Sequence, residues 1–439
     1  MTERADIWMP DWTDRPYWLD GVSAPVAEVK PLPSRADVVI VGSGYTGLNA
    51  ALECARGGRE TVVLEAGTPG FGCSTRNGGQ ISTSIKPSLA ALAAKHGAER
   101  AKAIRDEGKT ALRWIGERIA DEKIDCAFSL VGRFHAAHSP EKFREQLTEV
   151  ETLKREGITA HPVTRAEQHD ELGTDMYHGG LVFPDHASLD PGRYHRGLLR
   201  RAIEAKVQVH GQCKVTSIAR DGDSFVVSSE RGSIIADKVI VATNGYTTGL
   251  TPWMQRRVIP IGSYIIATEP LPKELMDRLC PTNRVISDTR KVVYYYRPSP
   301  DRTRILFGGR VSAGEVAPTV SGPRLYEDMC RIFPELRGYR ISHSWMGTVA
   351  YTFDELPHVG VHEGIYYAMG YCGSGVSLSS YLGMRLGQQV LGLADGATGF
   401  DGLPFPTRPL YTGKPWFLPA AVAWYRWRDR RQYERAKVA

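Results

Sequence analysis

A glycine-rich turn between a short apolar strand and a helix is the feature that most constrains the fold of this chain. Residues 37–41 form a β-branched run that is typical of a buried parallel strand. The strand ends at Gly42-Ser-Gly-Tyr-Thr-Gly47, a helical stretch follows at 48–56, and a second apolar strand at 61–64 ends at Glu65. This order predicts a dinucleotide site, because the turn and helix N-terminus suit a pyrophosphate and the acidic residue suits a ribose diol.

Within this turn, each glycine has a predicted task. Gly42 allows the tight turn, Gly44 lets the backbone approach a pyrophosphate, and Gly47 lets the helix pack closely on the strand. Glu65 disfavours NADP, whose 2′-phosphate would face a carboxylate. The unit alone leaves FAD and NAD open.

Two further glycine-rich loops lie far away in the sequence, at 70–80 and 370–377. The second of them follows a predicted strand at 365–369 and enters a predicted helix at 378–393. Three such loops fit a cofactor longer than one strand–helix turn can hold, and the helix N-terminus would stabilise negative charge on a reduced flavin. We therefore predict FAD; the alternative is that loops two and three are only turns.

Composition excludes several classes of protein. The 439 residues are 42% hydrophobic and carry a formal net charge of +6, which is too mild to indicate nucleic acid and compatible with an anionic small molecule. No apolar stretch has the length of a membrane helix, and the N-terminal sequence lacks the pattern of a secretory signal. Seven scattered cysteines without a CxxC pair favour a reducing cytoplasm and disfavour zinc. We expect a cytoplasmic protein without a metal.

Four segments carry a resemblance to a known family. GFGCSTRNGGQ (70–80), RILFGGR (304–310), WMG (345–347) with TFDELP (352–357), and GYCGSG (370–375) resemble the D-amino-acid oxidase/glycine oxidase superfamily, and within it the γ-glutamylputrescine oxidoreductase-like proteins. The likeness covers about residues 35 to 430. It implies an enzyme that binds FAD and oxidises a C–N bond to an imine, which water then hydrolyses.

The resemblance also implies the fold: α/β, with a discontinuous Rossmann-like FAD-binding domain beside an α+β substrate domain built on an antiparallel sheet. Strand-like segments at 260–268, 292–297 and 304–309 favour that antiparallel sheet independently, whereas 341–360 mixes small and turn residues. The predicted segments are an N-terminal arm at 1–34, the FAD-binding domain at 35–88, 185–255 and 340–395, the substrate domain at 89–184 and 256–339, and a C-terminal extension at 396–439.

By resemblance, the first loop would hold the ADP half, the second would pass beneath the ribityl chain and flavin, and the third would contact the pyrimidine edge. The predicted cofactor contacts are Gly42, Ser43, Gly44, Tyr45, Thr46, Gly47, Glu65, Ala66, Ser74, Thr75, Arg76, Asn77, Gly78, Gly79, Gln80, Val215, Thr243, Asn244, Gly245, Gly370, Gly373, Ser374, Gly375, Val376 and Ser377.

Departures from the family pattern sharpen this prediction. Gly347 stands where relatives with a thioether-linked flavin have cysteine, and residues 73–79 contain no histidine for a histidyl link, so we expect non-covalent FAD. Val349 stands where amino-acid oxidases place a carboxylate-binding arginine, which disfavours a free α-amino acid held in the usual way. Ser374 replaces a histidine that is common in the putrescine-type relatives.

The predicted substrate pocket centres on Tyr294-Tyr-Tyr-Arg297, where alternate residues of a strand share a face, so that Tyr295 and Arg297 point one way and Tyr296 the other. The alternative for each tyrosine is an ordinary core position. Arg310 or Arg297 would bind an acidic substrate. The predicted catalytic residues are Tyr295, Tyr296, Arg297, Tyr264, Arg310 and Trp345.

Two other features are given structural interpretations. His135 and His138 lack a third metal ligand at sensible spacing, so we expect surface histidines. Cys372 has no partner cysteine and is expected to be a packing residue. The N-terminal arm, rich in tryptophan, is expected to adhere to the body, and the basic tail to be a solvated helix end.

The sequence thus predicts an FAD-dependent oxidase or dehydrogenase acting on the C–N bond of a secondary amine or N-substituted amino acid, such as a γ-glutamylputrescine-like, sarcosine-like or iminodiacetate-like compound. A D-amino-acid or glycine oxidase, an NAD-dependent dehydrogenase and a non-catalytic FAD protein that binds a partner stay open as alternatives. Predicted partners are the small amine, which is acidic in one version, and O2 or another electron acceptor, without nucleic acid.

Overall fold

A computed structural model describes residues 7–22, 31–310 and 315–438 of the chain. The strands of this part are β1 Trp8–Thr13, β2 Arg35–Val41, β3 Thr61–Leu64, β4 Gln80–Ile81, β5 Arg133–Ala136, β6 His161–Val163, β7 Gly180–Phe183, β8 Ala187–Ser188, β9 Gln208–His210, β10 Val215–Asp221, β11 Ser224–Ser229, β12 Gly232–Val241, β13 Ile259–Thr268, β14 Val285–Asp288, β15 Tyr295–Pro298, β16 Ile305–Gly309, β17 Ile341–Tyr351, β18 His358–His362 and β19 Ile365–Met369.

The α-helices of the same part are α1 Tyr45–Arg56, α2 Leu89–His96, α3 Ala98–Asp121, α4 Pro140–Arg155, α5 Pro191–Glu204, α6 Pro252–Gln255, α7 Lys273–Leu279, α8 Pro318–Ile332, α9 Gly375–Val390 and α10 Leu418–Val438. None of these helices combines the length and apolar character that crossing a lipid bilayer requires.

The first of two large sheets is parallel at its centre. Strands β12, β2, β3 and β9 pair in parallel in that order, and β19 joins β12 in parallel. Helix α1 connects β2 to β3 and packs against α9 in a core that includes Leu48 and Leu382. The strand–turn–helix–strand order predicted for 37–65 is therefore present, and the carboxyl ends of these strands share one edge, where ligands bind in such sheets.

The second sheet has the order β1-β17-β13-β16-β15-β14-β5-β7-β6 and is mostly antiparallel. Its strands β13, β15 and β16 confirm the antiparallel sheet predicted from 260–268, 292–297 and 304–309. One face packs on α7 and α8 around a core that includes Phe134, Ile286 and Phe307. The opposite face looks towards the first sheet, so residues on the two sides of each strand meet different surroundings.

Residues 341–351 depart most from the sequence-based expectation, since they form the longest strand of the described chain. This strand, β17, contains serine and glycine residues, whose strand propensity is low, yet it pairs with β13 from Ile341 to Tyr351. This pairing also places β17 in the antiparallel sheet, whereas we assigned 340–395 to the FAD-binding domain. The predicted domain boundaries as a whole stay a prediction.

Both ends of the described chain pack against the body. Strand β1 pairs in parallel with β17, and Trp18 is fully buried, as expected for an adhering arm. The tail forms α10, whose buried Asp429 accepts a hydrogen bond from the backbone N–H of Val292 at 3.0 Å. The basic tail is thus a docked helix at this point and not only a solvated end.

Candidate active site

A cavity of about 1350 Å³ separates the carboxyl edge of the parallel sheet from the open face of the antiparallel sheet. This exceeds the roughly 300–1,000 Å³ of an ordinary ligand pocket. Residues from all three glycine-rich loops line it, as do Tyr295 and Gly347 on the sheet face. The cavity therefore has room for a long ligand and a second, smaller one.

The first loop leaves no space for side chains. Gly42 has φ +106°, and a Cβ on Gly47 would lie 1.9 Å from the carbonyl oxygen of Gly42. One carboxylate oxygen of Glu65 accepts hydrogen bonds from the N–H of Ser43 at 3.0 Å and from its hydroxyl at 2.7 Å. The loop is thereby held against β3, with the N-terminus of α1 open to the cavity.

The second loop closes over the start of α1. The hydroxyl oxygen of Ser74 accepts the backbone N–H of Tyr45 at 3.0 Å. Asn77 fixes the turn from within: its amide nitrogen donates to the carbonyls of Cys73 and Ser74, and its amide oxygen accepts the N–H of Gly79 at 2.8 Å. The first two loops therefore form one continuous wall.

Two buried tryptophans hold this second loop from outside. The indole N–H of Trp18 donates to the carbonyl of Asn77 at 2.7 Å, and that of Trp345 donates to the carbonyl of Arg76 at 3.0 Å. Both indoles lie in one small core with Ile265. Trp345, predicted as a catalytic candidate, is thus a support of the loop and is absent from the described cavity lining.

The third loop brings the N-terminus of α9 to the same cavity. Gly373 has φ +93°, and Gly373, Ser374 and Val376 line the cavity. The side-chain oxygen of Asn244 accepts the N–H of Gly370 at 2.9 Å, which ties this loop to the segment after β12. Two helix N-termini therefore face one volume, and both favour negative charge there.

Most of the predicted cofactor contacts meet at the cavity. The lining includes Gly42, Gly44, Tyr45, Thr46, Glu65, Ala66, Ser74, Arg76, Asn77, Gly78, Gln80, Val215, Thr243, Asn244, Gly373, Ser374, Gly375 and Val376. The predicted residues that stand behind this described lining are Ser43, Gly47, Thr75, Gly79, Gly245, Gly370 and Ser377.

Alternation along β15 divides the predicted tyrosines. Tyr295 faces the cavity, where its hydroxyl lies 2.7 Å from that of Ser263. Burial raises the pKa of the Tyr295 phenol well above its ordinary value, so the group is a neutral phenol. Its ring lies beside Gly78 and against Gly308, where a Cβ would come within 2.3 Å of the ring. Both glycines make room for this tyrosine.

Two of the predicted catalytic tyrosines lie on the opposite face. Tyr296 packs between Phe307 and Phe333. Tyr264 is buried in the same core, where its hydroxyl accepts the N–H of Val316 at 3.0 Å. The structure corrects these two assignments, because a side chain on the α8 side of the sheet does not reach the cavity.

The two predicted anion-binding arginines have different surroundings. Arg297 is fully enclosed and donates to the carbonyls of Gly79 and Leu189, so it supports the second loop and does not face the cavity. Arg310 lines the cavity and donates to the hydroxyl of Tyr351. Arg310 alone of this pair can contact a ligand there.

Sequence reasoning missed the part of the cavity that β5 and β14 supply. Arg133, His135 and Ser287 line it, and His135 Nδ1 lies 3.0 Å from the hydroxyl of Ser287. His138, predicted to be on the surface with His135, is fully buried. The sequence carries a signal for both the β5 cavity residues and the burial of His138. Arg133 and His135 alternate with the apolar Phe134 and Ala136, as in a strand with one buried face, and His138 follows on the side of Phe134 and Ala136.

The cysteines are all free thiols. Cys372 is buried within hydrogen-bond distance of Thr352, as expected for a packing residue. Cys73 lies at the cavity, 3.4 Å from where a Cβ on Gly347 would stand. Burial raises the pKa of the Cys73 thiol to about 12, so it is a neutral thiol and a poor nucleophile.

The fold and the cavity together are those of a dinucleotide-binding protein whose cavity also meets an antiparallel sheet. The glycine-rich 42–47 loop, the carboxylate of Glu65 and the two helix N-termini fit FAD. The phosphates and flavin of FAD need backbone N–H donors and a close approach of the backbone. Residues 37–389 match the DAO family, described as FAD dependent oxidoreductase. The chain belongs to this family. Relatives in it are named for activities on amines and amino acids.

Relatives agree with that assignment. The chain is 32% identical over 415 residues to the probable oxidoreductase OrdL of Rhizobium meliloti, covering 92% of this chain and 95% of the relative. It is 31% identical to the gamma-glutamylputrescine oxidoreductase of Escherichia coli, covering 90% and 93%. Glycine oxidase from Geobacillus kaustophilus shares the fold, with a TM-score of 0.73 at 18% identity over 86% of this chain and 99% of that structure.

Proposed function

We propose that the protein oxidises the C–N bond of an amine or N-substituted amino acid. The primary amine of a γ-glutamylputrescine-like compound stands first among the substrates, followed by secondary amines such as sarcosine and iminodiacetate. The observation that carries the proposal is the single cavity that joins three glycine-rich loops to a tyrosine-bearing sheet face. The likeness to the Escherichia coli gamma-glutamylputrescine oxidoreductase supports this substrate class.

FAD bound here would supply a two-electron acceptor. The amine loses a C–H bond with its electron pair and one N–H proton, which gives an imine. Water then adds to the imine carbon and the C–N bond breaks, giving an aldehyde or oxoacid together with ammonia from a primary amine or an amine from a secondary one. The electron pair passes finally to O2, forming hydrogen peroxide, or to another acceptor.

The side chains of the sheet face would bind and orient the amine. Tyr295 offers an aromatic wall and a neutral hydroxyl already engaged with Ser263, which suits an unprotonated amine. A ligand that fills the cavity between the sheets would displace water from it, and exclusion of water favours the neutral form of an amine. Val349 lines the cavity without any charge, so a free α-amino acid lacks a carboxylate partner at that position.

We further infer that FAD is bound non-covalently and that the enzyme works in the cytoplasm. Gly347 offers no thiol, and the neutral Cys73 nearby is unsuited to attack on a flavin. Denaturation with acid is expected to release all yellow colour into the supernatant. Colour that stays with the precipitated wild-type chain, and not with a Cys73→Ser variant, would show a thioether link instead.

The test is anaerobic mixing of the purified holoprotein with γ-glutamylputrescine, sarcosine, iminodiacetate, glycine and D-alanine. Bleaching of the flavin absorbance by one of the first three supports the proposal, and peroxide release on admitting air then identifies an oxidase. Bleaching by glycine or D-alanine alone would favour an amino-acid oxidase. No bleaching by any amine, or NADH formation by flavin-free protein, would overturn it.

A further inference from the structure

Arg133 is a cation that lines the cavity without a hydrogen-bond acceptor or ion-pair partner among the described residues. It lies on β5 and lines the cavity next to His135. Its Nε is buried without any acceptor, and among the described residues no carboxylate lies within ion-pair distance of it. Its recorded contact is with the ring of Phe183, 5.0 Å from the guanidinium carbon.

An unpaired guanidinium in such surroundings is costly. Burial lowers the pKa of Arg133 to about 10, with no acidic group offsetting the effect. The nearby histidines do not compensate, since burial, and then the charge of Arg133, lower the pKa of His135 to about 3 and leave it neutral. Arg133 as a whole is half-buried, but its Nε is fully buried, and proteins rarely leave a buried charged donor without an acceptor. This points to a ligand as the missing partner.

Two buried carboxylates also line this end of the cavity, but both have other partners. Asp288 is paired with Arg290, and Asp429 accepts the backbone N–H groups of Lys291 and Val292.

Lys86, an exposed residue, also lines the cavity and has no ion pair among the described residues. The acidic residues on α4, Glu145 and Glu149, lie at the exposed rim, and Glu145 is already paired with Lys142 at 2.5 Å. A carboxylate entering past this rim would meet Arg133 and Lys86.

Strand register sets the distance from Arg133 to the proposed reaction centre. Ser287 on β14 stands opposite both Tyr295 on β15 and His135 on β5. Two strand spacings and one two-residue step along β5 therefore separate Tyr295 from Arg133, which is roughly 12 Å between their backbones. An extended ligand of about ten single bonds spans that length, at roughly 3.5 Å for every three bonds.

We propose that Arg133 binds a terminal carboxylate of the substrate, so that the enzyme selects long amines that carry an anionic group at the end remote from the oxidised nitrogen. The inference rests on the proposed amine oxidation and adds the residue that recognises the far end of the substrate. Val349 occupies the position at which amino-acid oxidases have a carboxylate-binding arginine. In this protein Arg133, on a different strand, would take that task, because a guanidinium can bind a carboxylate through two parallel hydrogen bonds.

The test compares N-glutarylputrescine with N-butanoylputrescine, which differ only by that terminal carboxylate. In the wild type we expect a higher kcat/KM for the glutaryl compound by about 10- to 100-fold, the value of a charge-assisted hydrogen-bond pair. In Arg133→Gln the preference should fall to near unity, mainly through a higher KM for the glutaryl compound. Arg133→Lys should restore part of the preference.

Arg144→Gln is the matched control, since Arg144 is an exposed arginine on α4 that does not line the cavity. It should keep the wild-type preference. Arg133→Gln should lower the melting temperature little, because the side chain has no hydrogen bond or ion pair among the described residues and contacts only the ring of Phe183 there. An unchanged preference in Arg133→Gln, or an equal loss for both compounds with a lower melting temperature, would overturn the assignment. So would a wild type that oxidises sarcosine but neither putrescine derivative, an outcome that leaves amine oxidation itself standing.

Discussion

The two ends of the cavity differ in which atoms line them: backbone atoms at one end and side chains at the other. The end at the parallel sheet consists of backbone, with glycines where no Cβ fits and two helix N-termini. The end at the antiparallel sheet consists of side chains, among them Tyr295, Arg133 and His135. A backbone site recognises what all dinucleotides share, whereas a side-chain site can change its ligand by single substitutions.

The largest expected effect breaks the backbone end. Gly47→Ala places a Cβ 1.9 Å from the carbonyl oxygen of Gly42, a contact that neither strand nor helix can relieve without moving. We expect a loss of about 3 kcal/mol or more in the free energy of unfolding, together with loss of flavin. Gly249→Ala, where nothing lies within 4 Å, is the control in denaturant unfolding and flavin-content measurements. Full flavin content in Gly47→Ala would contradict this reading of the turn.

The next effect distinguishes the buried Arg297 from the half-buried Arg133. Arg297→Met leaves the carbonyl of Leu189 without the donor now 2.8 Å away, and should cost about 1–3 kcal/mol. Arg133→Met removes a cation with no described partner and should cost nothing or stabilise the protein. Chemical denaturation of both variants measures the difference. Equal destabilisation would show that the two arginines do not differ in the way described.

A smaller effect is expected at the aromatic wall. Tyr295→Phe keeps the ring and removes the hydroxyl contact with Ser263, so kcat/KM should fall by less than about tenfold, the value of one neutral hydrogen bond. Because burial raises the pKa of Tyr295, the phenol is no base and the pH–rate profile should keep its shape. Loss of one limb of that profile in the variant would give Tyr295 an acid–base role.

The last effect is confined to acidic pH. Burial, as the largest cause, lowers the pKa of both His135 and His138 to about 3, below the roughly 6.5 of an unfolded histidine. The unfolded state therefore binds more protons between these values, and stability should fall as the pH drops from about 6.5 towards 3. His138→Gln should flatten the melting temperature over this range relative to wild type. An equally steep decline in the variant would assign the acid sensitivity to other groups.

The backbone end could be predicted from sequence because its signals are local. The glycines, the strand before them and the acidic residue after them all occur within residues 37–65. In the same way, Asp190 marks the start of α5, because its side chain caps the helix by accepting the N–H of Arg193 at 3.0 Å. Features of this kind determine local geometry without distant residues. The three loops still needed the fold to show that they line one cavity.

The side-chain end could be predicted only in part, because its residues meet through strand pairing. Tyr295 followed from alternation, but which face meets the cavity depends on where α8 packs. Arg133 lies in a four-residue strand whose partners, β14 and β7, are distant in sequence. β17 was missed since its serines and glycine have low strand propensity, and its long pairing with β13 overrides that preference.

A crystal structure would decide whether one cavity holds both ligands, if the flavin is reduced beforehand and N-glutarylputrescine is then bound in the absence of oxygen, so that the amine is not consumed. We expect the isoalloxazine ring to contact both the 74–80 and 373–376 segments. Tyr295 should lie beside the reacting carbon, and the substrate carboxylate should bind Arg133. A flavin lying away from either segment, or a substrate whose carboxylate meets Arg310 instead of Arg133, would contradict it.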